Sequence, residues 1–161
     1  MKRMPTEFIF YPIKKILLPT DGSEYSLKAS KYAAEIAKNH GSKVTILHVM
    51  ELKLPAAKHP ISFHDLDSAI IAVEDEAPIK ERAKKVMEKS EEILKSANVP
   101  IETEYISFGK VDRIIVETAE KEKFDLIVMG HKGLGGIKEV MLGSVTEGVS
   151  RNAPCPVLIV R

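Results

Sequence analysis

The chain has a single cysteine, Cys155, so no disulfide can form within it. Without a disulfide framework, a cytosolic location is the default expectation. No run of about 18 apolar residues is present, which is the length a membrane-spanning helix needs. No block or stripe of basic residues stands out and the formal net charge is +1, which argues against nucleic acid as the main partner. The opening MKRMPTEFIFYPIKK carries early basic residues and an apolar patch, but Pro5, Glu7 and Pro12 break it too soon for a secretion signal. There is no internal repeat and no low-complexity tract.

Two nucleotide signatures are also missing. A P-loop needs a glycine, four residues and then Gly-Lys-Ser/Thr, whereas Gly130 is followed by Gly135-Gly136-Ile137. The dinucleotide fingerprint GxGxxG is absent as well. These gaps speak against a motor-type NTPase and against a dehydrogenase.

The remainder is the composition of a folded domain: 161 residues, 44% hydrophobic and 29% charged, enough for one real core. Lys14 to Asp21 reads as a buried strand, broken by Pro19-Thr20-Asp21-Gly22-Ser23. Ser23 is suited to cap a helix from Glu24 to about Asn39, which Asn39-His40-Gly41 ends. Lys43 to Met50 (KVTILHVM) is a second strand. Glu51 to Ala77 is a long connection, expected to be mobile with one helical turn. Pro78 suits the first position of a helix reaching about Ala97, with Ile79, Ala83, Val86, Ile93, Leu94 and Ala97 on one face. Pro100 to Ile106 alternates, with Ile101, Thr103 and Tyr105 on one side, as an edge strand would. A third helix over Val111 to Glu122, a strand over Phe124 to Met129, a helix over Ser144 to Asn152 and a strand over Pro156 to Arg161 complete the chain. Strict alternation of strands and helices predicts an α/β fold: a parallel sheet with helices on both faces.

The most telling stretch runs from Val128 to Arg161. Four glycines fall within seven residues (Gly130, Gly133, Gly135, Gly136), and Gly143-Ser144 then opens a helix, a spacing of Gly130-x2-Gly133-x9-Gly143-Ser144. Glycine lets a backbone approach an anion and take positive φ, and a helix N-terminus adds unpaired N–H donors. Each glycine taken alone is an ordinary loop former. Ser144-x-x-Glu147 is also readable as a capping box, which would spend the hydroxyl on the helix itself. Taken together at a strand–loop–helix junction, the glycines favour phosphate. If the first and fourth strands are neighbours, Asp21 and the glycine loop share a crevice, with Asp21 placed for a ribose hydroxyl or a metal-bound water.

These segments, with KKILLPTDGSEYS, ILHVM, DLIVMG and the ending APCPVLIVR, resemble the universal stress protein family, and the glycine spacing resembles its ATP-binding branch. The resemblance covers Lys14 to Arg161, leaving 1–12 as an N-terminal extension to a single domain over 13–161. It implies a five-stranded sheet of order 3-2-1-4-5, Rossmann-like and similar to adenine nucleotide alpha hydrolases. It implies adenine against the second strand near Val49, with Pro19, Thr20 and Asp21 close to adenine or ribose. Met129 and Gly130 would flank the site, and Gly133, Gly143, Ser144, Val145 and Thr146 would hold phosphates. Lys132 matches a basic residue often found there. His131 departs from the family pattern, in which a small hydroxyl residue is common after the glycine; its ring would add a donor or crowd the phosphates.

The function expected is a cytosolic ATP-binding stress-response regulator, with Mg²⁺ or Mn²⁺ on the phosphates and hydrolysis slow or absent, because no general base or arginine finger is evident. The alternatives are a nucleotide-hydrolysing or nucleotidyl-transferring enzyme using Asp21 and His131, a nucleotide-free partner-binding module and, more remotely, an FMN protein. A homodimer through the apolar last strand is expected, and no nucleic-acid or membrane partner. His59, His64, Asp65 and Asp67 resemble a metal cluster only loosely. His48 reads as a packed strand residue, and Cys155 between prolines as a rigid connector.

Overall fold

The computed structural model describes residues 11–51, 76–135 and 142–161. Among these residues five strands and four helices alternate: β1 Lys15–Pro19, α1 Glu24–His40, β2 Lys43–Met50, α2 Glu76–Ser96, β3 Ile101–Phe108, α3 Val111–Lys121, β4 Leu126–Gly130, α4 Ser144–Asn152 and β5 Val157–Val160. All pairings are parallel and the order is β3-β2-β1-β4-β5, as the resemblance implied. The His59, His64, Asp65 and Asp67 group lies outside the described residues.

Strand order and chain direction account for the layers. From β1 the chain steps outward to β2 and β3, then crosses back to β4 on the other side of β1 and on to β5. Crossovers between parallel strands are almost always right-handed, so reversing the direction of travel moves the helices to the other face. Alternate side chains of β1 feed two cores accordingly. Ile16 and Leu18 join Ala29, Ala33, Val44, Ile46, Met87 and Leu94 beneath α1 and α2. Leu17 joins Leu47, Ile115, Ile127, Met129 and Val149 beneath α3 and α4.

Local chemistry sets the helix ends. Ser23 caps α1 by accepting from the Ser26 N–H at 3.2 Å, and Gly41 closes it with its N–H on the Ala37 carbonyl. α2 begins at Glu76, two residues ahead of the expected Pro78, which still falls in the first turn where its missing N–H costs no intrahelical bond.

Two readings of the sequence need correction. In β3, Val44 pairs with Ile101 but Thr45 pairs with Thr103, so Glu102 is an extra residue. This bulge turns Thr103 and Tyr105 away from the face that Ile101 and Ile106 share with the α1–α2 core, so the three residues expected on one side are split. At α4 the cap is Gly143, with no side-chain capping bond. Ser144 is the first helical residue, and Glu147 pairs with Arg151 at 2.6 Å rather than reaching back, so no capping box forms.

Candidate functional site

β1 and β4 are neighbours at the point where the winding reverses, and a cavity of about 630 Å³ opens beyond their carboxyl ends. Its size is that of a small-molecule site. One wall is the loop after β1: Pro19, Thr20 and Asp21. The apolar floor combines Leu47 and Val49 of β2, Met129 of β4, and Val111 and Ile115 of α3. The opposite wall is Gly130, Lys132 and Gly133, and the start of α4 closes the end with Gly143, Ser144, Val145 and Thr146.

β1 ends opposite Leu47, three residues before β2 ends at Met50. Pro19 pairs with Leu47, and Thr20 donates its N–H to the Leu47 carbonyl at 2.9 Å. Val49, two residues on, therefore has no strand partner on the β1 side, although it is paired with Ser107 on the other.

Thr20 is held from several directions. Its hydroxyl donates to Ser26 Oγ at 3.2 Å, accepts from the Gly22 N–H at 3.3 Å and lies 3.3 Å from Ser90 Oγ, while Nδ1 of His48 is 2.8 Å from its carbonyl. His48 is thus more than a packed strand residue, since it fixes the turn at the site. Asp21 spans the two loops. Oδ1 accepts from the Ser23 N–H at 2.9 Å and Oδ2 from the Leu134 N–H at 3.0 Å.

The glycines serve close approach. None of the described ones in this stretch (Gly130, Gly133, Gly135, Gly143) is left-handed, contrary to the expectation of positive φ. A Cβ on Gly130 would stand 2.8 Å from the Tyr25 backbone, and one on Gly133 would collide with the Asp21 carboxylate. Two bonds tie the ends of the loop: Gly143 N–H to the His131 carbonyl at 2.8 Å, and Thr146 Oγ1 to the Gly130 carbonyl at 2.9 Å. The N–H groups of Ser144, Val145 and Thr146 belong to the first turn of α4, where a helix has no internal acceptor and carries the positive end of its dipole.

His131 stands apart from the other residues singled out in the sequence. Its ring is buried edge-on against Tyr25, with centroids 4.2 Å apart, and is not among the cavity-lining groups. Its Nδ1 is buried with no hydrogen-bond partner among the described residues. The ring is therefore directed at Tyr25 rather than at the cavity.

Ser26, Glu51, Val111, Ile115, Leu134 and Glu147 also line the cavity and were not singled out from sequence. For Val111 and Ile115 the signal was the i, i+4 apolar spacing of α3, which marks a packed face without telling which sheet face it packs on. Cys155 is half-buried, and burial first, then the Asp125 charge, push its thiol above the usual range, as suits an inert connector.

A parallel α/β sheet with helices on both faces and a part-apolar, part-amide crevice at its switch point belongs to the doubly wound class. The chain matches the Universal stress protein family over residues 12–161 and belongs to that family. It is 38% identical to Universal stress protein MJ0531 of Methanocaldococcus jannaschii over 148 residues, covering 92% of this chain and 82% of the relative. Among solved structures it is similar to protein MJ0577 of the same organism, with 31% identity, 93% and 96% of the two chains covered and a TM-score of 0.75. A universal stress protein solved in complex with cAMP is similar at 28% identity, with 94% and 98% covered and a TM-score of 0.65. Structures with a bound nucleotide thus occur among its structural neighbours. No helix among the described residues is long and apolar enough to cross a membrane.

Proposed function

We propose that this protein binds ATP in the switch-point cavity and acts as a cytosolic stress-response regulator, residues 13–161 forming its one domain. The observation that carries this reading is the polarity gradient of the cavity. An apolar slot at Leu47, Val49, Ile115 and Met129 suits a base, and the α4 N-terminus at the far end suits phosphates. Asp21, Gly130 and Gly133 line the same cavity and are the groups assigned to the sugar in this reading. The residues fit the group: a planar ring needs the unpaired edge of Val49, and an anion needs the first-turn amides.

Mg²⁺ or Mn²⁺ accompanies the phosphates in this reading. The described residues hold no group of three or more metal-ligating side chains, so the ion would be carried mainly by phosphate oxygens and water, with Lys132 adding charge. Hydrolysis is slow or absent. His131 is turned away from the cavity and both Asp21 oxygens accept backbone N–H groups, which leaves neither poised as a base. Calorimetry with ATP and Mg²⁺, together with nucleotide analysis after denaturation, tests the reading. Failure of both to detect an adenine nucleotide overturns it.

The protein pairs as a homodimer through β5, an edge strand whose Val157, Leu158 and Ile159 are only half-buried. Light scattering at micromolar concentration should give twice the chain mass, and Leu158→Lys should halve it.

A further inference from the structure

We infer that Ser90, on α2 and outside the cavity wall, is a positioning residue for the ligand site, acting through the Thr20 hydroxyl; this rests on the ATP-site reading above. Three fully or nearly buried serines, Ser26, Ser30 and Ser90, gather around Thr20, which is itself buried. A hydroxyl has one proton to give and two lone pairs to fill. The protons can be followed around the cluster. Ser26 donates to the Ser23 carbonyl at 2.9 Å. The Ser30 hydroxyl, with one proton to donate, lies 2.9 Å from the Ser26 carbonyl and 3.0 Å from Ser90 Oγ. Thr20 donates to Ser26 Oγ at 3.2 Å and accepts from the Gly22 N–H at 3.3 Å. The remaining lone pair of Thr20 is then filled by Ser90, whose oxygen is 3.3 Å away.

Two consequences follow from this count. All three capacities of the Thr20 hydroxyl are spent inside the protein, so what the loop offers a ligand is backbone and methyl surface, held in place rather than held in reserve. The last of the three comes from a helix 70 residues further along the chain. α2 also touches this loop one helical turn earlier, where a Cβ on Gly22 would lie 3.3 Å from Val86 Cγ1. Positions 86 and 90 share a helix face. α2 therefore braces residues 20–22 at two points, and Asp21 between them carries the bracing across to Leu134 of the glycine loop.

The test compares Ser90→Ala with Ser30→Ala. Each removes one buried hydroxyl of the same cluster, but only the first leaves Thr20 short of a partner. Ser90→Ala should weaken Mg²⁺–ATP binding roughly five- to tenfold, the effect of losing one ordering hydrogen bond. Ser30→Ala should leave affinity within about twofold at a similar loss of thermal stability. In a Thr20→Val background Ser90→Ala should cost binding nothing further. Amide exchange at Ser23 and Leu134 should quicken in Ser90→Ala and not in Ser30→Ala, a readout that needs no ligand. If the wild-type protein binds no adenine nucleotide, the ATP reading fails while exchange still decides the role of Ser90. Should Ser90→Ala not fold, Ser90→Cys keeps the size with a weaker donor and should give an intermediate rise in exchange. Equal effects of the Ser90 and Ser30 changes, an undiminished Ser90 effect in Thr20→Val, or unchanged exchange in the variant that folds would each overturn the inference.

Discussion

The two loops that face each other across the cavity are built on opposite plans. The loop after β1 is short and over-determined: side chains of Ser26 and Ser90 hold Thr20, His48 holds its carbonyl, and Ser23 starts the next helix. The glycine loop is long and secured at its ends, by Gly143 to His131 and Thr146 to Gly130, with Asp21 reaching over to Leu134. One wall is thus preformed by buried polar bonds, and the other depends on Gly130 and Gly133, where a side chain would not fit. The contrast teaches where mutation should register. Changes behind the first loop act on ligand geometry, and changes at the glycines act on the fold itself.

The largest effect should come from Gly130→Ala. The added Cβ would meet the Tyr25 main chain, which cannot swing aside as a side-chain tip can. A loss of about 2–3 kcal/mol in unfolding free energy is expected from urea titration. A neutral result would mean that β4 and α1 have room to separate and that the glycine loop is not space-limited.

Asp21→Ala comes next and probes the bond from Leu134 that joins the two plans. It removes the acceptor for Ser23 and Leu134 while leaving the strands untouched. ATP affinity should fall about tenfold, or roughly 1.4 kcal/mol, with a change in stability of only about 1 kcal/mol. If stability fell and affinity did not, the clasp would belong to the fold rather than to the site.

The smallest effect is a pH dependence behind the first loop. Glu91 follows Ser90 on α2, gives one oxygen to Lys95 at 2.8 Å and keeps the other buried without a partner among the described residues. Across from it on β3, partial burial first, and then the Glu91 charge, raise the Glu104 carboxyl above its ordinary value. A folded pKa above the unfolded one means that the native state holds more protons in the window between them. Stability from this group is therefore full below the ordinary glutamate pKa and declines as pH rises through the raised value. Glu104 is exposed as a residue, so water screens much of the effect. Denaturation midpoints should drift downward from mildly acidic to neutral pH, and Glu104→Gln should flatten the drift.

Much of this arrangement was legible in the sequence because it depends on local chemistry. Ser23 and Gly41 mark the ends of α1, alternating elements give the layers, and the break after Pro19 together with the glycine cluster marks the two loops. What was not legible depends on register or on distant pairing. The one-residue bulge at Glu102 leaves no trace in hydropathy, yet it turns Thr103 and Tyr105 to the other face. Ser90 lies on the buried face of α2 between Met87 and Leu94, where composition alone marks it as a weak helix former rather than a partner for Thr20. The direction of the His131 ring was open because a residue just beyond a strand end obeys no periodicity, and Tyr25, the second residue of α1, decided it.

The early stop of β1 has one more consequence. An unpaired strand margin at the rim of a sheet invites other chains to add to it and must be defended. Here the margin of β2 at Val49 lies indoors, walled by α3, by the end of β4 and by the start of α4. In the ATP-site reading proposed above, a flat molecule with its own donor and acceptor completes the rung that β1 leaves open there. The sheet thereby leaves the end of its ladder open inside a cavity rather than at its rim.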